Sequence, residues 1–156
     1  MGFYQLIKEQ KVNASIDEVW DFISSPGNLK EITPDYMGFD IISNNLSEKM
    51  YPGMIISYKV SPVFGIKTLW VTEITHVKEK EYFVDEQRVG PYAIWHHQHH
   101  ISAIPNGVLM RDIVSYKPPF GFLGAMANGI LIKSKLQEIF DYRTMAVDKK
   151  FGKYSS

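Results

Sequence analysis

Residues 12–34 read Val12-Asn13-Ala14-Ser15-Ile16-Asp17-Glu18-Val19-Trp20-Asp21-Phe22-Ile23-Ser24-Ser25-Pro26-Gly27-Asn28-Leu29-Lys30-Glu31-Ile32-Thr33-Pro34, and their reading decides the fold. Ser15-Ile16-Asp17-Glu18 is a capping box: the serine hydroxyl can accept from the amide three residues on while Glu18 reaches back. Ile16, Val19, Trp20 and Ile23 then recur at helical spacing. Pro26 disfavours helical geometry in the residue before it, so this helix stops at Ser24-Ser25. Pro26 can open a second short helix at its first position, with Ser25 as cap. Leu29 and Ile32 give that helix an apolar side, and Pro34 closes it.

On both sides of this stretch the period changes. Residues 3–12 alternate loosely and read as a first strand. Downstream, strands are expected at 36–43, 53–61, 66–78, 81–89, 92–104 and 107–117. Their separators carry turn chemistry: Asn44-Asn45, Pro52-Gly53, Phe64-Gly65, Lys78-Glu79-Lys80, Gly90-Pro91 and Pro105-Asn106-Gly107. Asn106-Gly107 between alternating runs is a strong hairpin signal. Loops this short imply an antiparallel meander.

From about Gly121 to Lys149 the pattern turns helical. Apolar residues fall at Leu123, Met126, Ala127, Ile130, Leu131, Ile139, Phe140 and Val147. Charges collect at Lys133, Lys135, Glu138, Asp141, Arg143 and Lys149-Lys150. This is an amphipathic helix of about six to eight turns. Asn128-Gly129 lies within it, and a helical glycine costs roughly 1 kcal/mol against alanine. Either the sheet or a ligand approaches the backbone there, or the helix begins only near Ile130. The expected class is α+β: a curved antiparallel sheet of about seven strands around a long C-terminal helix, with two short helices between strands 1 and 2. So long a sheet twists and curls, and a curled sheet held open by a helix leaves a cavity.

The length of 156 residues suits one domain, taken here as 1–156. Such a domain buries roughly 70% of its unfolded surface and needs no staples. Cysteine is absent, which excludes disulfides, thiolate catalysis and cysteine-ligated metal sites. Lys+Arg and Asp+Glu balance at 17 each, which argues against a nucleic-acid partner. The N-terminus has no basic head or apolar core of a signal peptide, and Leu6 argues against myristoylation. No run of about 18 apolar residues exists to span a membrane, so a cytoplasmic location is expected. No Gly-rich phosphate loop, nucleophile elbow or zinc-protease helix motif occurs, and nothing demands a cofactor. The oligomeric state is left open. Aromatics at 13% and 7 methionines suit either a filled core or an adaptable pocket.

Several stretches resemble one known superfamily. They are Val19-Trp20-Asp21-Phe22, Ser25-Pro26-Gly27-Asn28-Leu29, Ile32-Thr33-Pro34, Phe83-Val84-Asp85-Glu86-Gln87, Gly90-Pro91-Tyr92, Trp95-His96-His97-Gln98-His99, Asp112-Ile113-Val114-Ser115-Tyr116 and Pro118-Pro119-Phe120-Gly121-Phe122-Leu123-Gly124. With the element order, they resemble the helix-grip fold of the START-related (SRPBCC) superfamily, closest to its bacterial polyketide cyclase/dehydrase-like ligand-binding branch. The resemblance covers essentially the whole chain. It implies a helix-grip domain with an apolar cavity; the superfamily spans binding, transport and catalysis, so function must be argued from the site.

The histidines come first among groups that carry chemistry. Side chains alternate along a strand, so His97 and His99 share a face with Trp95 and Ile101, while His96 and His100 share the other. Trp95, His97 and His99 are expected to face the helix. A His-x-His pair on a strand can chelate a metal, and Asp112 could be a third ligand, but a hydrogen-bonded network shaping the pocket is the commoner use, and no metal is assigned. Asp85 and Gln87 share a face with Phe83, and Asp112 shares one with Met110, Val114 and Tyr116. If both faces look inward, a few polar orienters meet in an apolar chamber; otherwise the carboxylates pair with Arg88, Arg111 or Lys117, or face water. Trp70, Thr72 and Ile74 form one face of the fourth strand. Phe120, Phe122, Leu123 and Met126 could gate the cavity, touch a membrane or fold back on the core.

The expected ligand-binding set is thus Trp70, Asp85, Gln87, Trp95, His97, His99, Asp112, Val114, Tyr116, Met126 and Ile130. Three functions stand. The first is a carrier or sensor of a small apolar, aromatic or lipid-like molecule. The second is a cyclase- or dehydratase-type enzyme on a polyketide-like substrate, with His97 and Asp112 as catalytic candidates within hydrogen-bond reach. The third is an interaction module whose cavity is filled by its own side chains.

Overall fold

The computed structural model describes residues 2–61, 65–120 and 131–155. Its chain order is β1 (Tyr4–Val12), α1 (Ile16–Ile23), two 3-10 helices (Pro26–Ile32 and Asp35–Met37), then β2 (Asp40–Ile41), β3 (Met54–Val60), β4 (Thr68–Lys78), β5 (Tyr82–Val89), β6 (Ile94–Ile104), β7 (Gly107–Lys117) and a helix α2 (Lys133–Phe151). The seven strands form one antiparallel sheet in the order β1-β7-β6-β5-β4-β3-β2. This is the helix-grip architecture.

The capping box forms. Glu18 N–H donates to Ser15 Oγ at 3.3 Å, and Ser15 N–H donates back to Glu18 Oε2 at 2.8 Å. The hydrogen bonds hold the Glu18 carboxyl below its usual range. α1 buries Val19, Trp20, Phe22 and Ile23, closing the end of the sheet where Phe83 meets Trp20 edge to face at 6.3 Å.

Two expectations around the turns hold with a change of detail, and one strand is corrected. Pro26 opens the expected second short helix, a 3-10 one, with Ser25 at the N-cap position, but the Ser25 hydroxyl makes no capping bond and donates to Asp21 O of the preceding turn at 2.7 Å. The strand expected at 36–43 shrinks to Asp40–Ile41, because Asp35–Met37 coils into a second 3-10 turn that Gly38 ends in the left-handed region at φ 56°. The expected β6–β7 hairpin forms: Pro105-Asn106 make the turn, with Asn106 at φ 60°, and Gly107 opens β7 opposite Ile104. Gly107 also permits a close approach: a Cβ there would collide with Val12 O.

The helix expected from Gly121 to Ile130, with Asn128-Gly129, lies outside the described residues. α2 itself buries Leu136, Phe140 and Val147 against the sheet. β1 grips it from the side: Gln10 Nε2 donates to Thr144 O at 2.9 Å and to Asp148 Oδ1 at 2.8 Å, and Lys8 pairs with Asp141 at 3.0 Å. Beyond α2, Lys153 bridges to Val12, and the Tyr154 hydroxyl donates to Pro105 O at 2.6 Å, pinning the helix end to the β6–β7 turn. Two buried apolar clusters result. One, under α1, centres on Val19, Ile56, Phe83 and Val108; the other, under α2, centres on Trp70, Val114, Tyr116 and Phe140.

Candidate functional site

Between the sheet, α2 and the first 3-10 helix lies a chamber of about 150 Å³. Leu29, Ile32 and Thr33 line it on one side and Leu136 and Ile139 of α2 on the other. Its walls are aromatic. Tyr58 stacks on Trp70 at 6.0 Å, Trp95 stands edge-on to Trp70 at 5.2 Å, and Tyr92 leans on Trp95 at 4.9 Å. Burial pushes the phenols of Tyr58 and Tyr92 up, so both remain hydroxyl groups. Tyr58 and Thr72 share a hydroxyl–hydroxyl bond of 3.2 Å.

The chamber floor is polar. Three adjacent strands build it by simple register: Asp85 of β5 lies across from His97 of β6, and His99 of β6 lies across from Asp112 of β7. The diagonals close a square. His99 Nε2 is 2.6 Å from Asp85 Oδ2, and His97 Nε2 is 2.9 Å from Asp112 Oδ1. The remaining ring nitrogens complete it: His99 Nδ1 lies 3.0 Å from Asp112 Oδ1, and His97 Nδ1 lies 3.6 Å from Asp85 Oδ2. Each imidazole therefore has one nitrogen towards each carboxylate. Arg143 of α2 reaches down to Asp112 Oδ1 at 3.4 Å. Neighbouring rings lock the imidazoles: Phe83 stacks on His99 at 4.1 Å, and Phe140 meets His97 at 5.6 Å.

The electrostatics follow from burial and pairing. Burial favours a neutral Asp112, but the charge of Arg143 and the hydrogen bonds to His97 and His99 hold its carboxyl well below the usual range. Against the effect of burial, His99 and His97 hold Asp85 down as well. Burial and the neighbouring charge of His99 push His97 down, so it is the neutral imidazole. Burial opposes a charge on His99 as well, yet its bonds to Asp112 and Asp85 outweigh that and raise it. Buried charges persist only when paired in this way.

Of the expected ligand-binding residues, Trp70, Asp85, Trp95, His97 and His99 line the chamber. Asp112 does not; it stands behind the two histidines. Gln87 is turned to another task, accepting from Tyr92 N–H at 3.1 Å and donating to Tyr92 O at 2.6 Å, which clasps the β5–β6 turn. Val114 and Tyr116 are packed into the core beneath the walls, 0% and 2% exposed, rather than lining the space. Met126 and Ile130 lie outside the described residues. The carboxylates do not pair with Arg88, Arg111 or Lys117: Arg88 holds Glu73 and Glu86, and Arg111 lies against Glu9. Arg143 was hidden among the helix charges, although Leu136, Phe140, Arg143 and Val147 share one helical stripe. Tyr58 and Val60 line the space from the face they share with Ile56, which alternation along β3 marks as core or pocket lining, whereas Phe39 and Tyr92 are further wall residues that alternation alone does not single out.

Two buried donors at this site find no partner among the described residues, Trp70 Nε1 and Arg143 Nε. Such groups are costly unless something accepts from them.

Residues 12–139 match the family model described as polyketide cyclase / dehydrase and lipid transport. No curated protein matches the chain. Among solved structures, the chain is similar to protein CV1439 from Chromobacterium violaceum, with a TM-score of 0.70 at 12% identity, covering 96% of this chain and 99% of that one. It is similar to TTHA0849 from Thermus thermophilus, with a TM-score of 0.68 at 11% identity over 95% and 97%. It is also similar to the ginseng major latex-like protein 151 from Panax ginseng, with a TM-score of 0.67 at 11% identity over 96% and 97%. At these identities the likeness is one of fold. Among the described residues, no helix is long and apolar enough to cross a membrane.

Proposed function

Because the chain belongs to the polyketide cyclase / dehydrase and lipid transport family, we propose that it binds a small aromatic or apolar molecule carrying an acceptor oxygen, as a carrier or sensor. The observation that carries this reading is the chamber itself, with aromatic walls and a polar floor. A cavity of about 150 Å³ has room for a benzene-sized ring. Trp70 and Arg143, whose Nε1 and Nε find no partner among the described residues, are among the residues that would meet such a ring. Native mass spectrometry of the purified, untagged protein tests it, with organic extraction of whatever is carried. A stoichiometric aromatic or apolar adduct, or uptake of a ring-sized probe at one per chain, is expected. A protein that takes up none of a panel of such probes contradicts it.

A second reading is favoured by one distance. His97 Nε2 lies 2.9 Å from Asp112 Oδ1, an orienting contact that suits a general base. His97 would then take a proton from a bound polyketide-like substrate in a cyclisation or dehydration. Turnover by the wild type that His97→Ala abolishes, with ligand uptake retained, would favour this over carriage. The open chamber stands against a filled interior, the third expectation.

A further inference from the structure

We propose that Asp85, His97 and His99 form a three-ligand site for a divalent transition-metal ion at the chamber floor, with an open coordination position facing the chamber. The site does not depend on which organic molecule the chamber accepts.

The donor set is two imidazoles and one carboxylate, and one ligand atom from each lies within 4.8 Å of the others. Ligands at metal distances of about 2.1 Å stand roughly 3.0–3.4 Å apart in tetrahedral or octahedral geometry. The observed separations bracket that span: Asp85 Oδ2 is 2.6 Å from His99 Nε2 and 3.6 Å from His97 Nδ1. The third edge, between the two imidazoles, lies within 4.8 Å, so side-chain adjustment on the sheet would draw the three donors onto one ion. All three residues line the chamber, so a water or a ligand oxygen can complete the coordination.

The arrangement behind the ligands is the second argument. Metal-binding histidines commonly give their other nitrogen to a carboxylate, which fixes the tautomer and raises the ring's basicity. Asp112 Oδ1 serves both rings at once, at 2.9 Å from His97 Nε2 and 3.0 Å from His99 Nδ1. That leaves His97 Nδ1 and His99 Nε2 turned to the Asp85 side. Arg143 holds Asp112 from above at 3.4 Å. Charge is the third argument. Two buried carboxylates, Asp85 and Asp112, face one buried guanidinium, Arg143, so the enclosed set has room for a further positive charge. With neither thiol nor thiolate in the chain, imidazole and carboxylate donors select zinc, iron(II), cobalt or nickel over thiophilic ions.

The test uses the untagged, chelator-stripped full chain. Zn²⁺ titrated by calorimetry should bind at one per chain, and Co²⁺ should give visible ligand-field bands. Asp85→Asn and His99→Ala should abolish both signals, and Asp112→Asn should weaken binding by about 10- to 100-fold. His96→Gln and His100→Gln, on the opposite strand face, should change nothing. Since core variants can misfold, Co²⁺ added to the wild type should also shift the imidazole proton resonances of His97 and His99 selectively. No one-to-one binding by the folded wild type overturns the proposal, as does binding that survives His99→Ala or vanishes in His96→Gln. Uptake of an organic probe by the metal-free protein is read separately, so the chamber and the metal site can fail independently.

Discussion

Asp112 is the hinge of the buried polar set, touching His97, His99 and Arg143 through one oxygen. Asp112→Ala leaves a guanidinium buried without its carboxylate. Breaking such a set costs about 3–5 kcal/mol, and urea denaturation of the metal-free protein should show it; a loss under about 1 kcal/mol would mean that the set is loosely held. The sign of the pH dependence follows from the depressed carboxyl. Its contribution is complete above the unfolded value of about 3.9 and is lost as pH falls through the lower folded value. Asp112→Asn should therefore flatten the acid side of the stability profile. At this scale the sequence shows half of the site. Alternation places His97 and His99 on Trp95's face, since a strand's period is two. It cannot show that Gln87 turns aside to clasp Tyr92, because that pairing exists only once the β5–β6 turn closes. Nor does a count of helix charges separate Arg143 from its solvated neighbours; its place on the Leu136–Phe140–Val147 stripe does.

At the scale of elements, local chemistry is legible where one rule acts alone. The Ser15–Glu18 box starts α1 where it should, and Ser15→Ala should cost about 1 kcal/mol in thermal or urea unfolding. Legibility fails where two short elements compete. After Pro34 the alternating run looks like a strand, but Gly38 in the left-handed region ends a 3-10 turn first, and only Asp40–Ile41 remain to pair with β3. The β5–β6 turn makes a sharper prediction. Gln87→Leu keeps the bulk and removes both hydrogen bonds to Tyr92, leaving buried groups unpaired at about 1–3 kcal/mol. It should also loosen the Tyr92 wall, so ring-sized ligands should bind more weakly while the metal site is untouched. Equal ligand affinity in this variant would remove Tyr92 from the binding wall.

At the scale of the molecule, sheet and helix share one interior, which serves as core at one end and chamber at the other. Phe140 stands at the boundary, lining the chamber and packed on the sheet. Phe140→Ala should cost about 3–5 kcal/mol and widen the space, so that larger aromatic probes gain on smaller ones in competition binding. The central claim, that the chamber admits a ring, can be read from the three tryptophans. Trp70 and Trp95 line the chamber, whereas Trp20 sits in the cluster under α1. Their indole N–H resonances can be followed by heteronuclear NMR while phenol is titrated into the metal-free protein. We expect saturable shifts at Trp70 and Trp95, largest at the unpaired Trp70 Nε1, with Trp20 unmoved. No shift at either chamber tryptophan, or equal drift at all three, would contradict a ligand-binding chamber.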